Sequence, residues 1–246
     1  MMKILIVASL FAVVLSGCVK KESGPSGTPP GKMNAKTRKG YPTIDCPYAV
    51  GGGVDRFTPF KDTAEYIKHL NQPKRLKWKK HHVVISALHL KGDEVITDLG
   101  AGAGSFALRF ARVLPKGHVH ALDILPGMIS YMKTKAKEQH LTNITISLTH
   151  PDKPTLGPGT TLAFVNNVLH FVRRPGSWIA HIASQLPKGG RLVIIDFKMG
   201  KLPLGPPDSH KVSPERLKAF AKAAGLTLST EDHRLLPYQH LVVFTK

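Results

Sequence analysis

The sequence predicts a doubly wound α/β domain built on a seven-stranded sheet. Three observations predict it: a strand that runs through a glycine turn into a helix between Val95 and Ala111, further short β-branched runs alternating with helical stretches, and a closing pair of strands around Pro237. Val95, Ile96 and Thr97 follow the polar Lys91-Gly92-Asp93-Glu94, so a parallel strand buried on both faces starts there and ends at Asp98. Gly100, Gly102 and Gly104 remove every second side chain from the turn, letting the backbone bend sharply and approach a ligand too closely for a Cβ. Ser105 then stands where it can cap a helix carrying Phe106, Leu108, Phe110 and Ala111.

Upstream, Asp55 to Leu70 and Lys74 to Leu90 read as two helices separated by Asn71-Gln72-Pro73. The second opens with five cations in the seven residues Lys74 to Lys80, with Trp78 among them. Two readings stand: a docking patch for an anionic surface or substrate, or a solvated helix face with Trp78 packed inward. His81 and His82 carry no metal signal, because adjacent residues project on different helix faces.

Downstream, Pro115-Lys116-Gly117 turns the chain into a strand from His118 to Ile124, with Asp123 at its carboxyl end. A carboxylate there can accept both hydroxyls of a ribose. Pro126 to His140 is a helix, Asn143 to Thr149 a strand with Ile144, Ile146 and Leu148 alternating, and His150-Pro151-Asp152 a turn. Leu162 to Asn167 is the fourth strand and delivers Asn166 to Phe171 to the same sheet edge. Pro175 to Leu186 is helical, and Pro187-Lys188-Gly189-Gly190 introduces the strand Arg191 to Asp196. Four glycines or prolines between Lys201 and His210 mark a mobile segment, and Ser213-Pro214 starts a helix that Gly225 stops. Leu226 to Leu235 and Tyr238 to Phe244 complete the strands.

Spacing decides the ligand class. A dinucleotide fingerprint is G-x-G-x-x-G, whereas this turn is G-x-G-x-G and carries a carboxylate two residues before its first glycine. Such an acid disfavours a diphosphate and favours a cationic amino group or sulfonium. Asp98-Leu99-Gly100-Ala101-Gly102-Ala103-Gly104 resembles motif I of the class I S-adenosylmethionine (SAM) dependent methyltransferases, and the resemblance extends over about residues 55 to 246.

That resemblance implies a Rossmann-like sheet whose last strand is antiparallel, with the two early helices as a lid over the cofactor. It implies SAM held by Asp98, Gly100, Gly102 and Gly104, with Asp123 on the ribose and Ile124 beside it. Asp152 lies where the family places an acceptor for the adenine amino group, or is simply a turn acid. Asn166 to Phe171 resembles motif IV, which sets Asn167 toward the methionine end of SAM and His170 toward the methyl acceptor, unless His170 is a packed or capping residue. In-line transfer to a nucleophilic acceptor needs no triad or metal; a hydroxyl acceptor needs a base, and His170 is the nominee. The chain looks most like the small-molecule branch related to quinone and arsenite methylating enzymes, without the cysteine set of the latter. The alternatives are an exported, non-catalytic SAM-fold binding lipoprotein and, more distantly, a nicotinamide-dependent oxidoreductase.

Lysine and arginine number 35 against 16 acids, a formal charge of +19. Such a surface attracts polyanions or anionic lipid, or is a solvated basic surface with no specific partner. Nucleic acid fits the charge but not the amino-terminal segment, and no RNA-binding module is present. In that segment, Lys3 precedes an apolar run from Ile4 to Leu15, and Leu15-Ser16-Gly17-Cys18 resembles a bacterial lipobox. The implied organisation is a lipoprotein signal at 1–17, a Gly/Pro/Ser/Lys-rich tether at 18–53, and a domain at 54–246 with a lid at 54–90 and the SAM-binding core at 91–246. Cys18 would carry the lipid, holding the protein on the cell envelope facing the periplasm or exterior. An ordinary signal peptide or a short uncleaved anchor is the other reading, the run being shorter than the ~20 residues a spanning helix needs.

Overall fold

A computed structural model describes residues 62–246. The signal segment, Cys18, the tether and the first part of the first lid helix lie outside the described residues.

Three short helices come first: α1 (Thr63–Leu70), α2 (Pro73–Lys79) and α3 (His81–Ala87). Helix α1 begins at Thr63, where Asp62 has extended backbone and its carboxylate accepts the Glu65 N–H at 2.7 Å; the expected helical stretch before Asp62 lies outside the described residues. The signal was present in the sequence as Asp62 followed three residues later by Glu65. The expected second helix is broken in two at Lys80, whose φ is +44°. Trp78 and Lys79 before the break and His81 after it are all buried.

The sheet comprises β1 (Val95–Leu99), β2 (His118–Asp123), β3 (Ile144–Leu148), β4 (Leu162–Asn166), β5 (Arg191–Phe197), β6 (Thr227–Asp232) and β7 (Gln239–Thr245). Its order is β3-β2-β1-β4-β5-β7-β6. The first five strands are parallel, β7 runs antiparallel to β5, and β6 runs antiparallel to β7. The seven strands and the antiparallel last strand are as the sequence and its resemblance led us to expect. The chain steps outward from β1 to β3 and returns to β4 on the other side of β1, so the strand order reverses at the carboxyl end of β1. Open α/β sheets place ligands at such a reversal.

Helices cover both faces. On one, α3, α4 (Ala107–Val113) and α5 (Pro126–Glu138) pack Val84, Leu88, Phe110 and Met132 against Ile96, Val119 and Phe164. On the other, α6 (Pro175–Gln185) and α7 (Pro214–Ala223) pack Trp178, Ile179, Ile182 and Leu217 against Leu99, Val165 and Ile194. Phe110 and Phe164 are fully buried with ring centroids 4.9 Å apart, and truncating either to Ala would cost about 3–5 kcal/mol.

No helix joins β3 to β4. Side chains of α6 hold that connection instead: Trp178 Nε1 donates to the Pro151 carbonyl at 3.0 Å, and Gln185 Nε2 to that of Pro154 at 3.0 Å. The segment expected to be mobile, 201–210, is pinned at its ends. Asp208 accepts the Gly200 N–H, and the buried Lys211 ammonium spans the Gly200 carbonyl and Asp208 at 2.7 and 2.8 Å.

Candidate functional site

The carboxyl end of β1 runs into the glycine turn, and three of its features are set by the protein itself. Gly100, Gly102 and Gly104 have φ of +72°, +57° and +76°, where a side chain is strained. A Cβ on Gly100 would meet Val168 at 2.6 Å, and one on Gly104 would meet Met132 at 3.0 Å. The packing of the protein therefore also requires these two glycines, beyond the sharp bend and the close approach of a ligand that the sequence suggested. At Gly102 the neighbour is Leu70 of α1, 3.2 Å from a Cβ, so the end of the helix expected as the lid lies against the turn.

Asp98 is 2% exposed and projects back into the turn it precedes. Burial pushes its carboxyl up to about 7, against the pull of the Lys79 charge and of the Ala107 N–H at the start of α4, which lower it. Ser105 does not cap α4: the helix starts at Ala107 with Phe106 at the cap position, and the Ser105 hydroxyl accepts from Lys79 Nζ of α2 at 3.2 Å. Lys79 is pushed down to about 7 by burial and by Arg75, with Asp98 pulling the other way.

Asp123 ends β2, two residues beyond Ala121, the partner of Asp98 on the neighbouring strand. Its Oδ2 accepts the Gly102 N–H at 2.8 Å and its Oδ1 the Leu125 N–H at 3.0 Å. Burial raises its pKa while these N–H groups lower it. A carboxylate offers about four acceptor positions, so about two remain for a diol. Ile124 follows, packed with Ala103, Leu125 and Met128 and with Tyr66, Ile67 and Leu70 of the lid. Tyr66 is pushed up to about 12 by burial and by the Asp123 charge.

Asp152 lies in the turn after β3, where its side chain pairs with Arg173 at 3.7 Å. No hydrogen bond joins it to Asp98 or Asp123 among the described residues.

The carboxyl end of β4 holds a second polar group. Asn167 has φ +58° and its main-chain N–H donates to the Ile195 carbonyl at 2.8 Å. Gln239 Nε2 donates to Asn167 Oδ1 at 2.7 Å and Asn166 Oδ1 at 3.2 Å, while Asn167 Nδ2 and Gln239 Oε1 are buried without a partner. A short 3₁₀ turn, Leu169–Phe171, carries His170, whose Nδ1 lies 3.5 Å from Asp196 Oδ1. Asp196 is 2% exposed and is fixed by the Leu169 and Phe197 N–H groups at 3.2 and 2.8 Å. Opposite it on β7 stands His240, fully buried, both ring nitrogens without a hydrogen bond.

Sequence reasoning missed Lys79, Tyr66, Asp196, Gln239 and His240. Lys79 was hidden in a run of like charges. The others join the site only through β5–β7 pairing and lid packing, which no local pattern encodes. Among the described residues no cluster of His, Cys, Asp and Glu has the geometry of a metal site, and no helix is long and apolar enough to cross a membrane. Two surface hollows lie elsewhere, about 500 Å³ between α5 and β3 and about 440 Å³ beside β2 and β3, the second lined in part by His120 and His150.

These residues fit SAM by the chemistry of their donors: a ribose-competent acid, an apolar seat beside Ile124, and an acid and an ammonium at the turn. Comparison with known proteins agrees with that chemistry. A family model described as a methyltransferase domain matches residues 90–239. Aklanonic acid methyltransferase of Streptomyces sp. (strain C5) is 30% identical over 129 residues, 50% of this chain and 58% of that protein. Malonyl-[acyl-carrier protein] O-methyltransferase of Hahella chejuensis is 29% identical over 98 residues, 40% of this chain and 34% of that protein. The chain thus spans about half the length of these two relatives, or less. A SAM-dependent methyltransferase from Aquifex aeolicus shares the fold at a TM-score of 0.67 and 23% identity, over 73% of this chain and 96% of that one.

Proposed function

Because the chain belongs to the methyltransferase domain family, we propose that it moves a methyl group from SAM to a small-molecule acceptor. The observation that carries this reading is the bond from the Gly102 N–H to Asp123 Oδ2, which joins the acid of β2 to the turn that follows the acid of β1. One acid then serves the ribose and the other the amino group, at the strand-order reversal. SAM supplies the electrophilic methyl group, bound to a sulfonium. The chain supplies position, and holding an acceptor in line with that methyl accounts for much of the rate.

An oxygen acceptor is favoured. The Hahella relative is named as an O-methyltransferase, and His170 stands beside the buried Asp196 at the edge where an acceptor would enter. His170 would take the hydroxyl proton, and Asp196 would orient the ring and stabilise its charge; a 3.5 Å contact is loose, as such contacts often are before substrate binds. Calorimetric titration of the full chain should give binding of SAM and none of NADH. NADH binding without SAM binding would overturn the reading, and mass spectrometry of co-purified ligands would identify the acceptor.

We further propose that the mature protein is a lipoprotein anchored through Cys18 on the cell envelope. What supports this is the order of Lys3, the apolar run to Leu15 and the small residues before the cysteine. The exposed Lys74, Lys77 and Lys80 of the lid would add attraction to anionic lipid. Nucleic acid is not proposed as a partner.

A further inference from the structure

The two edges of the sheet differ. Strand β6 carries a register shift between Leu228 and Thr230 and ends in Glu231 and Asp232, features that discourage a further strand. Strand β3, Ile144-Thr145-Ile146-Ser147-Leu148, has neither a register shift nor a charge, proline or glycine. The Asn143 carbonyl accepts the Val119 N–H, and the Thr149 N–H donates to the Asp123 carbonyl, both at 3.0 Å. Alternate residues of a strand bond to the same neighbour, so Ile144, Ile146 and Leu148 turn their main-chain N–H and C=O groups outward. No loop bonds those groups among the described residues, and Leu148 is 44% exposed.

A hollow flanks this edge on each face. On one, Ile144 and Ile146 line about 500 Å³ together with Lys133 and Lys137, one turn apart on α5, and His140 just beyond it. On the other, Thr145 and Ser147 line about 440 Å³ together with His150 and Lys153. No acid lines either hollow, and Glu138 of α5 is paired with Lys135. A strand laid along β3 points alternate side chains to the two faces. We propose that β3 receives an extended acidic segment of another polypeptide as an eighth strand. Its apolar side chains would rest on Ile144 and Ile146, and its carboxylates would meet the Thr145 and Ser147 hydroxyls and the Lys153 ammonium. Charge argues against a second copy of this chain as the occupant. A two-fold pairing of β3 with itself would crowd the cations of both copies around the shared edge, in a chain of formal charge +19.

Calorimetry and hydrogen exchange on the full chain test this with an end-blocked peptide of about eight residues, alternating Val and Glu. At low salt the peptide should bind and slow exchange of the Ile144, Ile146 and Leu148 N–H groups. A peptide of the same length alternating Val and Lys should bind about 10-fold or more weakly. Changing Lys133, Lys137 and Lys153 together to Glu should weaken the Val/Glu peptide by about 10-fold, while thermal melts stay near wild type. No binding of the Val/Glu peptide, equal binding of the two peptides, or binding without slowed exchange at those three residues overturns the proposal. A dimer in sedimentation with the three N–H groups already protected assigns the edge to a second copy. Protection by phosphatidylglycerol vesicles and not by the peptide assigns it to a membrane, and either result also overturns the proposal. The two peptides on wild type decide alone if the charge-reversed variant fails to fold.

Discussion

The main-chain N–H of Gly102 donates to Asp123 Oδ2 at 2.8 Å, so the acid that ends β2 holds the turn that ends β1. Asp123 therefore has two tasks, and substitutions separate them. Asp123→Ala leaves the Gly102 and Leu125 N–H groups without their acceptor and should cost about 1–3 kcal/mol of stability as well as SAM binding. Asp123→Asn keeps one oxygen and most of the shape. It should stay closer to wild type in thermal melts, yet lose ~10-fold or more in SAM affinity. Wild-type affinity in a folded Asn variant would remove the ribose role.

At Gly102 the prediction concerns the lid. Gly102→Ala places a Cβ 3.2 Å from Leu70 at a φ of +57°, so it strains the turn by about 1–2 kcal/mol and pushes on α1. Limited proteolysis should cut near Leu70 faster in the variant, and SAM affinity should fall. Unchanged cleavage and affinity would mean that the lid does not rest on this turn in solution.

Much of this architecture was legible in the sequence, for a physical reason. Val95 to Leu99, Leu162 to Asn166 and Arg191 to Phe197 are buried on both faces, so each reads as a continuous apolar run ended by a polar residue at the ligand edge. Asp98 is such an ending, and Asp123 ends the neighbouring β2 at the same edge. The long-range partners were not legible. Gln239 reaches Asn167 only because β7 lies against β5, and Lys79 is buried at the end of α2, just before the left-handed Lys80. A charged run looks alike whether one member is buried or none is, and Ser105 resembles a cap although α4 starts two residues later, with Phe106 at the cap position.

Lys79 gives a pH signature whose sign is fixed by its burial. In the folded protein it lies near 7 and in the unfolded chain near 10.5. Between those values the unfolded chain binds the proton and the folded one does not, so this residue's contribution to stability rises with pH across that window. Below about 7 both states are protonated and the cost of the buried charge is counted in full. Lys79→Met should therefore raise the melting temperature most at and below pH 7, and the gain should shrink toward pH 10. Loss of the Asp98 partner acts in the same direction, because a more strongly raised carboxyl also costs stability as pH rises. A gain that is flat from pH 6 to 10 would place Lys79 in solvent.

His170 and Asp196 should separate chemistry from cofactor binding. With a hydroxyl acceptor, His170→Ala should lower kcat by ~10²- to 10⁴-fold and leave S-adenosylhomocysteine affinity unchanged. Asp196→Asn should give a smaller fall, together with some loss of stability, because Asp196 also holds the Leu169 and Phe197 N–H groups. Turnover of an oxygen acceptor at the wild-type rate by His170→Ala would dismiss the base.

The lid also divides the basic run into surface and interior, which yields a prediction with its own control. Lys74, Lys77 and Lys80 are exposed on the solvent side of α2, whereas Lys79 is buried and Arg75 lies over the Trp78 ring at 5.2 Å. Near an anionic membrane each exposed lysine contributes roughly 1 kcal/mol, an attraction that salt screens within about 10 Å at 0.1 M. Changing Lys74, Lys77 and Lys80 together to Gln should weaken binding to phosphatidylglycerol vesicles at low salt, and Lys79→Gln should not. The comparison belongs in protein carrying Cys18→Ala and expressed without residues 1–17, so that no acyl chain masks the electrostatic contribution. The Cys18→Ala change in the full precursor should independently release the protein from membranes and leave the signal uncleaved. Vesicle affinity that is the same before and after the triple change would return α2 to a solvated face, and anchoring would then rest on Cys18 alone.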